Sequence, residues 1–459
     1  MLGKAQVKRL KIFAFVFSLG LMTSFGNGNR VLANGGLSLE GAVAIALEAN
    51  PLIRATAAGQ QAAAAGLEEA RSNRLPALSF NEKFITSNNP VYVFGSRLEQ
   101  GKFGMEHFDL NYLNNPGSFS NFRSSVNLSI PLFNRFQISS GIRQAELGEQ
   151  VAEEDSNWVR QQLRMQVVSA YYGVLVARSR RDVARDAVAT AEADLVKIEV
   201  MFEEGMVVAS DVLAMKVQVA DFRQQLVQAE GDEKTAVAAL NTVLARPVNT
   251  PVELSGELVD REFEVASQDA LITAALGNRP DYRKLQLDVQ RTQEGIRTAK
   301  GSRWPDLNLF ANYGYSSHDF ASGSGDFAVG AALNFDILDF GRTPRIQQAV
   351  AASNGAEAQQ EYKANEVGFE VVQAYQRFLS SKERLRVAAS AVDQAAETLR
   401  IVQDRHGVGL TTVTEVLRAQ TALLKSQMML LGARYDYYLG YANTLMVTGS
   451  LNDVSPFTK

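Results

Sequence analysis

Ser316, Ser317, His318 and Asp319 stand in one run and are the residue types of a nucleophilic triad. The run falls in a predicted hairpin tip, which lacks the scaffold that keeps nucleophile, base and carboxylate in line. Gly323-x-Gly325-x-x-x-x-Gly330 is glycine-rich but precedes a predicted strand, whereas a phosphate cradle must open a helix. His107, His318 and His406 lie far apart without ligand spacing, and Met428-Met429 reads as core rather than as a soft-metal site. The chain has no cysteine, which excludes disulfides, zinc-thiolate sites, a thiol nucleophile and an acylation site for a lipid anchor. No catalytic, cofactor-binding or metal site is expected.

The one constellation that recurs is a turn. Gly205-Met206-Val207-Val208-Ala209-Ser210-Asp211-Val212-Leu213 is answered by Gly409-Leu410-Thr411-Thr412-Val413-Thr414-Glu415-Val416-Leu417. In each, a glycine supplies the positive φ that ends one helix, and a hydroxyl beside a carboxylate (Ser210 with Asp211, Thr414 with Glu415) is suited to cap the next. Such tips must be carried by long helices. Leu163, Val167, Ala170, Val174 and Ala177, then Ala184, Val188, Ala191, Leu195, Ile198 and Phe202, alternate spacings of four and three and miss one beat at Arg181. Val367, Val371, Ala374, Phe378, Ser381, Leu385, Ala388, Val392, Ala395, Leu399 and Val402 keep the same rhythm. A sustained 3.5-residue period marks helices that coil around neighbours. Each helix reads as about 65 residues, on the order of 100 Å.

The duplication extends outward. Leu47, Pro51, Pro76 and Leu78 correspond to Leu276, Pro280, Pro305 and Leu307. Residues 34–265 and 266–459 are therefore tandem copies, each a helix, a Leu-Pro break, a β-hairpin and a long helical hairpin. After each Pro the period changes to two. Strands are expected near 78–87, 123–132, 306–316 and 327–337, with one face apolar and the other small or polar, the pattern of a membrane hairpin and equally of a half-buried soluble one. Four strands cannot close a barrel, and an open edge is not tolerated in lipid, so several chains must pool their strands. The stretch Ser87 to Phe122, rich in aromatic residues, Asn, Gly and Ser, interrupts the first hairpin and reads as a folded loop rather than a lid over a barrel mouth, the two readings its composition allows.

The 459-residue chain carries a net charge of −4 and no basic patch that would suggest a nucleic-acid partner. Its start, Lys4, Lys8, Arg9 and Lys11 followed by an apolar run and Val31-Leu32-Ala33, describes a cleavable signal peptide over residues 1–33. No later window offers a membrane-spanning helix.

This order of features, twice over, resembles the TolC family of outer-membrane efflux proteins. The resemblance implies a mainly α chain with a small β part: long antiparallel coiled-coil helices forming a periplasmic α-barrel, and four strands per chain contributing to a trimeric twelve-stranded transmembrane β-barrel. It implies an exit duct of a tripartite efflux or type I secretion system, a homotrimer in outer-membrane lipid that meets a periplasmic adaptor protein and an inner-membrane transporter. It assigns Gly205, Met206, Val207, Val208, Ser210, Gly409, Leu410, Thr411 and Thr412 to adaptor docking, and Glu415, Arg418 and Asp211 to the periplasmic aperture. Arg418 stands where the family commonly has a second acid, so a mixed Glu415/Arg418 ring locked by ion pairs is expected. His406 and Thr411 occupy the places of the family's aromatic and arginine latch residues. The alternative class is a secreted periplasmic structural coiled coil.

Overall fold

The computed structural model describes residues 36–319 and 322–457; the expected signal peptide, residues 1–33, lies outside them. Helix α1 (Leu39–Ala49) and α2 (Pro51–Ser72) lead into strand β1 (Ala77–Ser87). Short helices α3 (Pro90–Glu99) and α4 (Leu110–Asn114), with a 3-10 turn at Met105–Phe108 between them, precede β2 (Phe119–Asn134). The long α5 (Gln137–Glu203) and its return α6 (Ala209–Val243) close the first copy. The second copy runs α7 (Gln268–Asn278), α8 (Pro280–Gly301), β3 (Asp306–Ser317), β4 (Gly323–Asn334), α9 (Arg342–Gly407) and α10 (Val413–Val447).

The strands form one antiparallel sheet in the order β1-β2-β3-β4. Strands β2 and β4 depart from the alternation at three of their boundaries. The apolar beat continues through Phe335 and Ile337, yet β4 stops at Asn334 because its partner β3 begins at Asp306, opposite it. At the other end β2 starts at Phe119 and β4 at Gly323 rather than near 123 and 327, since ladder hydrogen bonds need no apolar side chain. The 87–122 loop is a folded unit with two helices of its own.

Strand and helix join through tight backbone. Arg135 and Phe136 both take positive φ, and the Asn134 carboxamide oxygen accepts the Ile138 N–H at 3.1 Å to start α5. The Arg135 guanidinium holds Asp306 at 2.9 Å and Asp336 at 2.5 Å. A Cβ at Gly301 would stand 1.9 Å from the Arg135 carbonyl oxygen, so only glycine lets α8 pass this corner.

The main core sits at mid-length, where residues 37–46, 451–457 and the 247–266 linker wrap the long helices. Tyr171, Tyr172, Phe378, Tyr437, Tyr438 and Phe263 are buried there with Leu37, Leu163 and Phe457. Their hydroxyls serve the wrapping backbone: Tyr171 donates to the Leu37 carbonyl at 2.9 Å, Tyr438 to Val259 at 2.8 Å, and Tyr437 accepts the Phe263 N–H at 2.9 Å. Aromatic rings thus bury area while each polar end finds a partner. The missing apolar beat is explained here too, since Arg181 reaches across to Glu233 on α6 at 2.6 Å.

Helices α2, α5, α8 and α9 lie side by side between this belt and the sheet, while α6, α5, α10 and α9 do so beyond it. Among the described residues no helix is long and apolar enough to cross a membrane.

Candidate functional site

Among the described residues three regions stand out: a sheet and a pair of helical tips, both exposed, and a buried polar cluster above the tips. Along one face of the sheet the register aligns Leu78 with Leu128, Phe80 with Val126, Val126 with Tyr313, and Tyr313 with Phe327. Leu78 is 71% exposed, Phe80 66%, Phe327 79% and Val329 75%. Among the described residues nothing covers this apolar face. The opposite face carries Asn81, Ser125, Asn127, Ser129, Asn308 and Asn312, with Asn312 donating to Asn127 across the strands. Both edge strands, β1 and β4, are open.

The triad types at 316–319 are not brought into line. Ser316 is buried and accepts from Arg123 at 3.0 Å, His318 lies beside the Phe119 ring, and Asp319 accepts from the Ser322 hydroxyl at 2.9 Å in the turn. His107 is buried in the 87–122 unit, where its Nδ1 accepts the Gly104 N–H at 2.9 Å.

At the tips Gly205 and Gly409 adopt φ of 73° and 79°, ending α5 and α9 as glycine allows. The caps differ from the hydroxyl capping expected of Ser210 and Thr414. The Asp211 carboxylate receives the Val208 N–H at 3.4 Å, and at the second tip Thr412 gives no side-chain cap. A β-branched apolar Val208 cannot cap, so the carboxylate one turn on reaches back. Met206, Val208 and Leu410 are exposed, and Val207 partly covers the underlying cluster of Ile198, Val212, Met215 and Val413. That cluster brings α5, α6 and α10 together, so the two tips sit side by side.

Glu415 and Arg418 pair within their own helix at 2.8 Å, both well exposed. An exposed i,i+3 pair is worth only about 0.3–0.5 kcal/mol.

The residue missed in the sequence is Asp194. It is 8% exposed, and its carboxylate accepts from Gln420 of α10 at 2.7 Å, Gln403 of α9 at 3.0 Å and Lys197 at 2.9 Å. One buried charge thus ties the first hairpin to both helices of the second. Its signal was faint: a carboxylate one residue before seam position Leu195 looks like solvated surface until the facing glutamines are known.

The family described as Outer membrane efflux protein matches residues 42–246 and 271–446. The outer membrane protein TolC of Vibrio cholerae is 24% identical over 340 residues, which is 72% of this chain and 77% of that protein. The alkaline protease secretion protein AprF of Pseudomonas aeruginosa is 23% identical over 349 residues, 73% of this chain and 71% of that one. In fold, the crystal structure of the outer membrane protein VceC from Vibrio cholerae superposes with a TM-score of 0.75 at 17% identity, covering 90% of this chain and 96% of VceC.

Proposed function

The chain belongs to the outer membrane efflux protein family, and from that premise we propose that three copies make one continuous duct through the outer membrane and into the periplasm. It serves as the exit channel of a tripartite efflux or type I secretion system. The observation that carries this is the four-stranded sheet, apolar on one face and open at both edges.

Two copies would close eight strands, a barrel whose interior side chains fill it; three is the smallest number that leaves a bore. The apolar face then meets lipid, and the Asn and Ser face lines the water. The same outer edges run down the helices, with α2 and α6 on one side and α9 on the other, so the closure that pairs β1 with β4 of a neighbour also completes a helical wall. A secreted structural coiled coil would have no use for an uncovered apolar sheet.

Substrate enters at the tips. Met206, Val207, Val208, Leu410, Thr411 and Thr412 would receive a periplasmic adaptor, with Gly205 and Gly409 shaping the turns and Ser210 at their rim; the adaptor in turn links to an inner-membrane transporter. Glu415, Arg418 and Asp211 would border the aperture. Because Arg418 already pairs with its own Glu415 and Asp211 is engaged as a cap, the hold on the closed state falls chiefly to Asp194 with Gln403 and Gln420. Removing one partner of a buried charged network costs more than breaking an exposed pair. Residues 1–33 direct export and are removed, and the cysteine-free chain is held in the membrane without lipid attachment.

Export assayed in cells carrying Val207→Glu and Leu410→Glu together tests the docking assignment. Export should fall to background while the trimer still forms; normal export would refute it.

A further inference from the structure

The 87–122 unit occupies a place that an ordinary surface loop would not. Helix α3 runs across the strands on the polar face, near their outer end. At its start the Tyr92 hydroxyl donates to the Ile85 carbonyl of β1 at 3.2 Å. At its end Gln100 donates to the Ser120 carbonyl at 3.0 Å and to Asn121 at 2.8 Å on β2. Just beyond, Lys102 reaches Ser322 of the β3–β4 turn at 3.2 Å. Glu99 and Asp326 share Arg123 at 3.3 and 3.1 Å, fastening the bar to β2 and β4. Ten residues of helix span about 15 Å, and four strands about 4.8 Å apart span roughly the same. The helix is a crossbar over one chain's whole share of the wall.

Val93 and Ser96 face the sheet and are buried. The opposite side presents Val91, Phe94 and Leu98, at i, i+3 and i+7, with Val91 82% and Leu98 51% exposed. This apolar stripe points away from the wall, into what the duct would hold as water. Twelve strands about 4.8 Å apart, tilted ~40°, close a ring on the order of 24 Å across. An α-helix with its side chains is about 10 Å thick. Three crossbars therefore fill the mouth; Phe94 leans on Phe103 of its own chain, with ring centroids 4.7 Å apart, and Val91 and Leu98 are left to meet the other two stripes.

We propose that the Val91, Phe94 and Leu98 faces of three copies meet on the threefold axis and close the outer mouth of the channel, a second barrier distinct from the periplasmic tips. This rests on the trimeric channel proposed above. Export then requires the three bars to part, which the ion pairs of half-buried Arg123 with exposed Glu99 and Asp326 permit, while the buried Gln100–Asn121 bond keeps each bar hinged to its own wall.

The chain has no cysteine, so Leu98→Cys supplies its sole thiol, and disulfide formation needs Cα atoms within about 7 Å. Oxidised membranes with Leu98→Cys should yield ~10-fold more disulfide-linked dimer than membranes with Ser129→Cys, which lies deeper on the polar wall. In intact cells a bulky external maleimide should fail to label Ser129→Cys, and adding Leu98→Lys, which sets three like charges together, should raise labelling by ~10-fold. A native trimer in which Leu98→Cys stays uncrosslinked and Ser129→Cys labels freely overturns the closure and leaves the channel standing. Absence of any trimer overturns the channel, and the closure with it.

Discussion

The belt at mid-length and the two ends of this molecule are built on opposite terms. In the belt, Tyr171, Tyr437, Tyr438 and Phe378 are nearly fully buried and their hydroxyls, where present, find backbone partners within the same chain. At the ends, Phe80, Phe327 and Val329 on the sheet, and Met206, Val208 and Leu410 at the tips, lie exposed. One chain completes its own middle and leaves apolar side chains uncovered at both ends. Burial of apolar area drives folding at ~25 cal/mol per Å², so the belt is where a single copy gains its stability, and the ends are where assembly adds more.

The largest expected effect separates these regions. Arg279, 2% exposed, binds Asp281 through two nitrogens and also reaches Glu370 and the Val447 carbonyl. Arg279→Ala leaves Asp281 with only Lys363 at 3.2 Å and the Tyr282 N–H at 3.0 Å, and should destabilise the fold by about 3 kcal/mol, read as a lowered unfolding midpoint in denaturant. A loss under about 1 kcal/mol would show that the belt's charged junction is dispensable.

On the sheet the expected cost falls on insertion instead. Phe80→Lys or Val329→Lys places a charge on the lipid face and should cost about 2–4 kcal/mol at mid-membrane depth, seen as less heat-stable trimer with helical content retained. The same substitution at Asn127, on the polar face, should be tolerated. Equal effects on both faces would erase the distinction between them.

Asp194→Ala should act on the aperture rather than on assembly. Freed from Gln403 and Gln420, the first hairpin should swing from the second, raising the conductance of reconstituted trimers several-fold, about 1–2 kcal/mol of shifted closure. Arg418→Ala, by contrast, removes an exposed pair and should change gating by less than about 0.5 kcal/mol. If Arg418→Ala opens the channel and Asp194→Ala does not, the lock lies in the ring and not in the buried latch.

Acid should touch the belt last. Burial disfavours the charge on Asp281, but the hydrogen bonds and charge of Arg279, with Lys363 nearby, outweigh it and hold the carboxyl below its ordinary range. A carboxyl lowered in the folded state stabilises the fold above the unfolded pKa of about 4 and loses that contribution as pH falls through the folded value. Unfolding midpoints should therefore be indifferent to this group between neutrality and about pH 5, and Asp281→Asn should flatten the decline below about pH 4.

Much of this contrast was legible in the residues. Heptad spacing named the long helices through seams such as Val167 and Val371, now fully buried, and the paired glycines named the tips. What periodicity could not show were contacts set by tertiary geometry. The heptad's gap at Arg181 meant nothing until Glu233 stood opposite it. Strand β4 ended where its partner ended, at a register that alternation alone does not carry. Asp194 lay beside the seam and looked like surface, and the 87–122 unit had no repeat counterpart from which its position against the wall could be read. The tip residues were found by order and spacing, but their division of labour was not: Asp211 caps, Glu415 pairs, and the hydroxyls between them carry neither role.

The most direct measurement is the mass of the mature protein extracted from outer membranes into detergent, taken together with ion conduction after reconstitution into planar bilayers. Three chains per particle and discrete ion-conducting steps are the expected result. A stable single chain that neither inserts into lipid nor conducts would contradict the shared wall on which the duct, its tips and its outer mouth all depend.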